Sequence, residues 1–216
     1  MSFEKPYPPD PITYTHYNTI IDQLEARFGS KAENYLKDTT QIINTRGNIW
    51  TPTPGSIQQA INDLYNDQGG AIIIPKCMIT ETQPWTLDQE YPVYIHGAGM
   101  CWHDTNRGTM IKFDLSNDVH AIDLDAKNII HFGAITDLTL MHGTGNRDMI
   151  HLDGVTDYHI ERVYINQAPR HAVHVESTQD SWNLWIKDNL IENSTNAGIR
   201  LRRYNRQEER YSVYTK

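Results

Sequence analysis

The chain has 216 residues and a formal net charge of −8, enough for one good-sized domain with an appendage. The acidic balance argues against a nucleic-acid binder, whose footprint is a basic patch; the one basic run, Arg200, Arg202, Arg203, Arg206 and Arg210, is interrupted by Glu208 and Glu209. No apolar stretch approaches the ~18 residues of a membrane span, and two cysteines, Cys77 and Cys101, are too few for a disulfide framework.

The first segment, MSFEKPYPPDP, carries four prolines. It reads as an extended arm, and it has no apolar core of a standard secretion signal. Ile20, Ile21, Leu24 and Phe28 then recur at helix spacing, with Gly29 as a stop. Ser30 and Glu33 form a capping box for a second short helix, whose apolar side is Tyr35 and Leu36. TRGNIWTPTPG, residues 45–55, is a linker of turn formers, so residues 1–55 read as arm, short helices and linker. In SIQQAINDLYNDQGGAIIIP, Ser56 is the expected N-cap, and Ile57, Ala60, Ile61 and Leu64 make one apolar stripe. Gly69 and Gly70 end that helix, and AIIIP is a buried strand bounded by Pro75. Beyond it, short apolar strands alternate with turns.

Four nearly identical words follow: AIDLD from residue 121, MIHLD from 149, AVHVE from 172 and GIRLR from 198. Strand side chains alternate, so Ile122/Leu124, Ile150/Leu152, Val173/Val175 and Ile199/Leu201 point one way and their polar neighbours the other. A second word, ITDLTL (135–140), IERVYI (160–165) and IKDNLI (186–191), accompanies the first. Two-residue hairpin turns are missing. Two strand words in each repeat of about 25 residues therefore predict a parallel β-helix, a solenoid filled by stacked like residues, over residues 56–201. Asn189 takes the slot of Leu138 and Val163; it needs hydrogen-bond partners there, in a bend that tolerates left-handed φ, and Asn193 is expected to act likewise.

SIQQAINDLYNDQGGAIIIP, with YPVYIHGAGM, TMIKFD and the I-x-x-x-x-[LI] … G-I-x-L coils, resembles the pectate-lyase-like superfamily of right-handed parallel β-helices from about Ser56 to Leu201. The resemblance implies that the helix at 57–64 caps the first end of the solenoid. It implies no single function, because that superfamily contains polysaccharide lyases, glycoside hydrolases, phage tailspikes with depolymerase activity and inactive virion proteins. The four words are fewer coils than its enzymes usually carry. The tail RRYNRQEERYSVYTK, residues 202–216, is too polar to be a lid, so a partner chain, or Tyr204, Tyr211, Val213 and Tyr214 folding back, must cover the other end.

Stacked words also stack their polar residues into two columns: Asp123, His151, His174, Arg200 and Asp125, Asp153, Glu176, Arg202. Adjacent rungs lie roughly 4.8 Å apart, and carboxylates that close raise one another's pKa or recruit a cation. As a catalytic face, Asp125, Asp153 and Glu176 would serve acid–base chemistry, with His151 or His174 as proton carrier and Arg200 beside them. No cofactor is required, but Ca2+ on Asp125, Asp153 and Glu176 fits oxygen-ligand preferences. As plain surface, the same columns end in ordinary salt bridges at Arg200 and Arg202. Nine of the ten histidines lie between residues 96 and 174. No HExxH is present, and H-A-V-H at 171–174 puts its rings on opposite strand faces or at a turn, so zinc-motif spacing is lacking.

The leading expectation is a virion structural or receptor-binding protein, tailspike-like, extracellular or on the virion. It would be a homo-oligomer, a trimer, docking to other virion proteins through residues 1–55. The alternative is a polysaccharide lyase or glycoside hydrolase acting on an acidic, cell-surface glycan. A further alternative is a non-catalytic carbohydrate-binding module using Trp182, Trp185 and neighbouring tyrosines as stacking platforms.

Overall fold

The computed structural model describes residues 40–66, 68–88, 90–101, 107–116, 118–145, 147–177, 181, 183–203 and 213–214. The arm and both short helices expected before residue 40 lie outside the described residues, as do Trp182, Tyr204 and Tyr211.

Strands β1 (Ile42–Asn44) and β2 (Ile49–Trp50) pair antiparallel, and β1 lies antiparallel on the edge of β3 (Gly70–Ile73). Between them runs helix α1 (Ser56–Tyr65). Its apolar stripe, Ile57, Ala60, Ile61 and Leu64, is wholly buried and packs against β1, β3 and β5 (Trp85–Thr86) at the first coils, where it covers the end of the stack. The cap differs from expectation. Gly55, at φ 81, is the N-cap, and no side chain caps the helix. Ser56 has turned back, its hydroxyl donating to Thr53 O at 2.6 Å, while Glu81 Oε2 accepts from Gly55 N at 2.6 Å. A carboxylate from the next coil replaces the local hydroxyl at the positive end of the helix. The helix closes at Gln68 (φ 64) and Gly69 (φ 108), with Gly69 N donating to Leu64 O at 3.0 Å.

The remaining strands are β4 (Cys77–Glu81), β6 (Val93–His96), β7 (Thr109–Asp114), β8 (Ile122–Thr144), β9 (Ile150–Asn166), β10 (His171–Ser177), β11 (Leu184–Lys187), β12 (Leu190–Glu192), β13 (Ala197–Arg203) and β14 (Val213–Tyr214). Among the described residues, every pairing beyond the β1–β3 edge is parallel. The result is a mainly β parallel solenoid of about four turns. The words stack in the expected register: Ile122↔Ile150↔Val173↔Ile199 and Leu124↔Leu152↔Val175↔Leu201. Two further internal rows run Ile72↔Ile95↔Ile135↔Ile160↔Ile186 and Ile79↔Ile111↔Leu140↔Ile165↔Ile191. Each fully buried aliphatic side chain in these rows contributes about 1.5–3 kcal/mol.

The coil has three faces rather than two. The second word is two strands folded at one residue: Asp137, Arg162 and Asp188 have φ of 57, 52 and 56. That left-handed residue resets the alternation, so positions three apart, Ile135 and Leu138 or Ile160 and Val163, all enter the core. An unbroken strand cannot do this. Asn189 follows the last of these bends. Its Oδ1 accepts from Val163 N at 2.9 Å and its Nδ2 donates to Ile160 O at 2.8 Å, so the polar side chain in an apolar slot is satisfied. The left-handed φ belongs to its neighbour Asp188, whereas Asn193 itself has φ 55 and donates to Asn166 Oδ1 at 2.9 Å. At the far end, Val213 and Tyr214 pair in parallel with Leu184 and Trp185, as one more short rung on that face.

Candidate functional site

One face is formed by β13, β10 and the first segments of β9 and β8. Its polar residues make the first column the words predict, Asp123↔His151↔His174↔Arg200; the second is in register only as Asp125↔Asp153 and Glu176↔Arg202, with no pairing between Asp153 and Glu176. A third column lies two residues ahead of each word's first inward apolar residue and holds His120, Asp148, His171 and Ala197. Ala121 N donates to Asp148 O, Met149 N to His171 O, and His171 is in register with Ala197.

Asp148 is the hub. Its side chain is fully buried. Oδ1 accepts from Arg170 Nε at 2.7 Å and from His171 Nδ1 at 2.7 Å; Oδ2 accepts from His174 Nδ1 at 2.8 Å and from Arg170 Nη2. His120 Nδ1 stands 3.2 Å from Oδ2 but off the hydrogen-bond direction. Burial works to raise the Asp148 pKa; Arg170 and then the three histidines outweigh it and hold the carboxyl far below the usual range. Both rings of H-A-V-H lie in one strand, which His171 starts, and both close on one carboxylate, 5.3 Å apart.

His151, 5% exposed, sits between two carboxylates. Nδ1 donates to Asp123 Oδ1 at 2.7 Å and Nε2 to Glu176 Oε2 at 3.2 Å. Burial depresses its pKa, but the two carboxylates prevail and raise it. The His120 ring stacks on it at 4.1 Å. Glu176 Oε1 accepts from Arg202 Nη1 at 3.0 Å. Burial raises the Glu176 pKa, and His151, His174 and Arg202 bring it below the ordinary value. His174 is different. It is 2% exposed, its Nδ1 is taken by Asp148, and its buried Nε2 has no hydrogen-bond partner among the described residues. Desolvation lowers its pKa.

Of the residues singled out in the sequence, His151, His174, Glu176 and Arg200 come together here, with Arg200 Nη1 3.5 Å from His171 Nε2. Asp125 is exposed and Asp153 is buried. Among the described residues, ligating atoms of three or more His, Asp or Glu side chains converge in the groups His120–Asp123–His151, Asp148–His171–His174 and His151–His174–Glu176; Asp125 and Asp153 belong to none of them. Sequence reasoning missed His120, Asp148 and Arg170 altogether, and His171 as a site residue. The signal was there: H-A-I-D, D-M-I-H and H-A-V-H are the same word read from two residues before its first inward apolar residue.

Comparison with protein-family models, with curated proteins and with solved structures gave no match.

Proposed function

We propose that this face is the reactive surface of an enzyme that cleaves an acidic glycan by lyase or hydrolase chemistry. The observation that carries the reading is His151, buried with a carboxylate on each ring nitrogen, 2.7 Å from Asp123 and 3.2 Å from Glu176. Such a ring keeps a proton in a fixed direction. Asp123 orients it, Glu176 holds the proton at rest, and His151 delivers it to the leaving glycosidic oxygen. The glycan is supported by shape and charge. Polar columns repeating about every 4.8 Å along one axis suit an extended polymer, and the exposed Arg200 offers a cation to sugar carboxylates.

A tailspike-like setting is compatible with this activity. In it the chain is a trimeric virion appendage docked to other virion proteins through residues 1–55. Most of that docking segment lies outside the described residues, so the site rather than the arm supports the proposal.

The test is a panel of polygalacturonate, alginate and hyaluronate, read by the ultraviolet absorbance of unsaturated products and by new reducing ends. Product is expected on at least one, falling roughly 100-fold or more in His151→Gln with thermal unfolding retained. No product on any of them overturns the reading.

A further inference from the structure

We propose that His151 Nε2, His174 Nε2 and Glu176 Oε2 form a binding site for a divalent transition metal of the zinc class. This deepens the glycan-cleaving reading of the same face. The proton and the metal become alternative occupants of His151 Nε2.

One ligating atom from each of the three side chains lies within 4.8 Å of the others. His151 Nε2 and Glu176 Oε2 are 3.2 Å apart, close to the about 3.3 Å that separates two ligands of a tetrahedral zinc with bonds near 2.0–2.1 Å. The opposite nitrogen of each ring is already engaged: His151 Nδ1 by Asp123 at 2.7 Å, His174 Nδ1 by Asp148 at 2.8 Å. Metal-binding histidines almost always carry such a carboxylate on the far nitrogen, because it fixes the tautomer, aims the ring and strengthens the lone pair at Nε2. Glu176 is oriented in the same way, Arg202 holding Oε1 and leaving Oε2 turned inward.

The deciding observation is His174 Nε2, a buried nitrogen without a hydrogen-bond partner among the described residues. Buried polar atoms are rarely left so. With Asp148 accepting the Nδ1 proton, this nitrogen offers a lone pair into the cluster. Two imidazoles and one carboxylate are a borderline N/O donor set, suited to Zn2+, Co2+ or Fe2+ rather than to Ca2+, which takes six to eight oxygens. Three protein ligands also leave a fourth position open, where a bound water is acidified toward neutrality.

The experiment uses the full chain, stripped with EDTA and titrated with ZnCl2 by isothermal calorimetry, and separately with CoCl2 followed by visible absorption. One equivalent is expected to bind, with the intense bands of a four-coordinate Co2+. Glu176→Gln and His174→Gln should weaken binding at least tenfold, Asp123→Asn about 10–100-fold, and Arg162→Ala, on another face, should leave it unchanged. Each variant is checked by far-ultraviolet circular dichroism, and the near-isosteric Glu176→Gln decides if His174→Gln unfolds. No stoichiometric binding, or binding that Glu176→Gln leaves intact, overturns the site. Product on a glycan from protein that binds no stoichiometric metal overturns the site while sparing the enzyme reading; stoichiometric zinc with no product on any glycan does the reverse.

Discussion

Two polar ladders run down the outside of this solenoid, and they are built on different rules. On the second face, Asp137 accepts two bonds from Arg162, both at 2.7 Å; Arg162 also reaches Glu161 at 3.0 Å, and Lys187 meets Glu161 at 3.2 Å. Opposite charges alternate from rung to rung, and the ladder neutralises itself at a half-exposed surface. On the first face, the rungs read Asp123, His151, His174 and Arg200 beside His120, Asp148 and His171, and the rings of His151, His171 and His174 are buried. Histidine is central here, whereas on the second face arginine and lysine join His96 and His159 in meeting the carboxylates. It donates or accepts according to its tautomer, so the face ends with a shared proton at His151 and an unpaired nitrogen at His174. A self-neutralising ladder holds the fold; one built on histidine retains chemical freedom.

Three measurements break or sharpen that contrast. The largest effect is expected at Asp148, the hub of the histidine face. Asp148→Ala leaves Arg170, His171 and His174 without their acceptor inside the protein, and should cost about 3–5 kcal/mol in urea unfolding. A loss under about 1 kcal/mol would mean that the hub is not structural. Arg162→Ala removes a pair with 45% of its arginine side chain exposed and should cost about 1 kcal/mol or less; a cost equal to that of Asp148→Ala would erase the distinction. The smallest effect is a pH slope. His159 and Lys187 hold the Glu161 carboxyl down at about 2, from an ordinary 4.5. Its folded pKa is therefore the lower one, and its stabilisation is present above 4.5 and lost as pH falls toward 2. The stability difference between wild type and Glu161→Gln should shrink as pH falls from about 6 to about 3. A difference that widens has the sign wrong.

Much of the architecture is legible because a solenoid writes its register as repetition. The apolar positions of the words at 121, 149, 172 and 198 stack in register, and the α1 stripe packs as its spacing requires. The bends were harder. Asp137 and Asp188 are plausible turn residues, but a left-handed Arg162 is favoured by no local propensity; it is held by the stack and by its bonds to Asp137. The N-cap was misassigned to Ser56 because the group serving the helix start, Glu81, comes from another coil. The site was half legible. His151, His174, Glu176 and Arg200 fall inside the repeated words. His120 and Asp148 lie just ahead of them, where the apolar alternation that marks a word has not begun.

The order of residues alone determined the coil, its register and which side chains share a column, because apolar periodicity along a chain specifies what must face a common axis. Only the tertiary structure decided what each histidine is bonded to. A ring's chemistry depends on the groups at its two nitrogens, and for His151 those groups come from 28 residues before it and 25 after, positions that become neighbours only when one coil lies on the next.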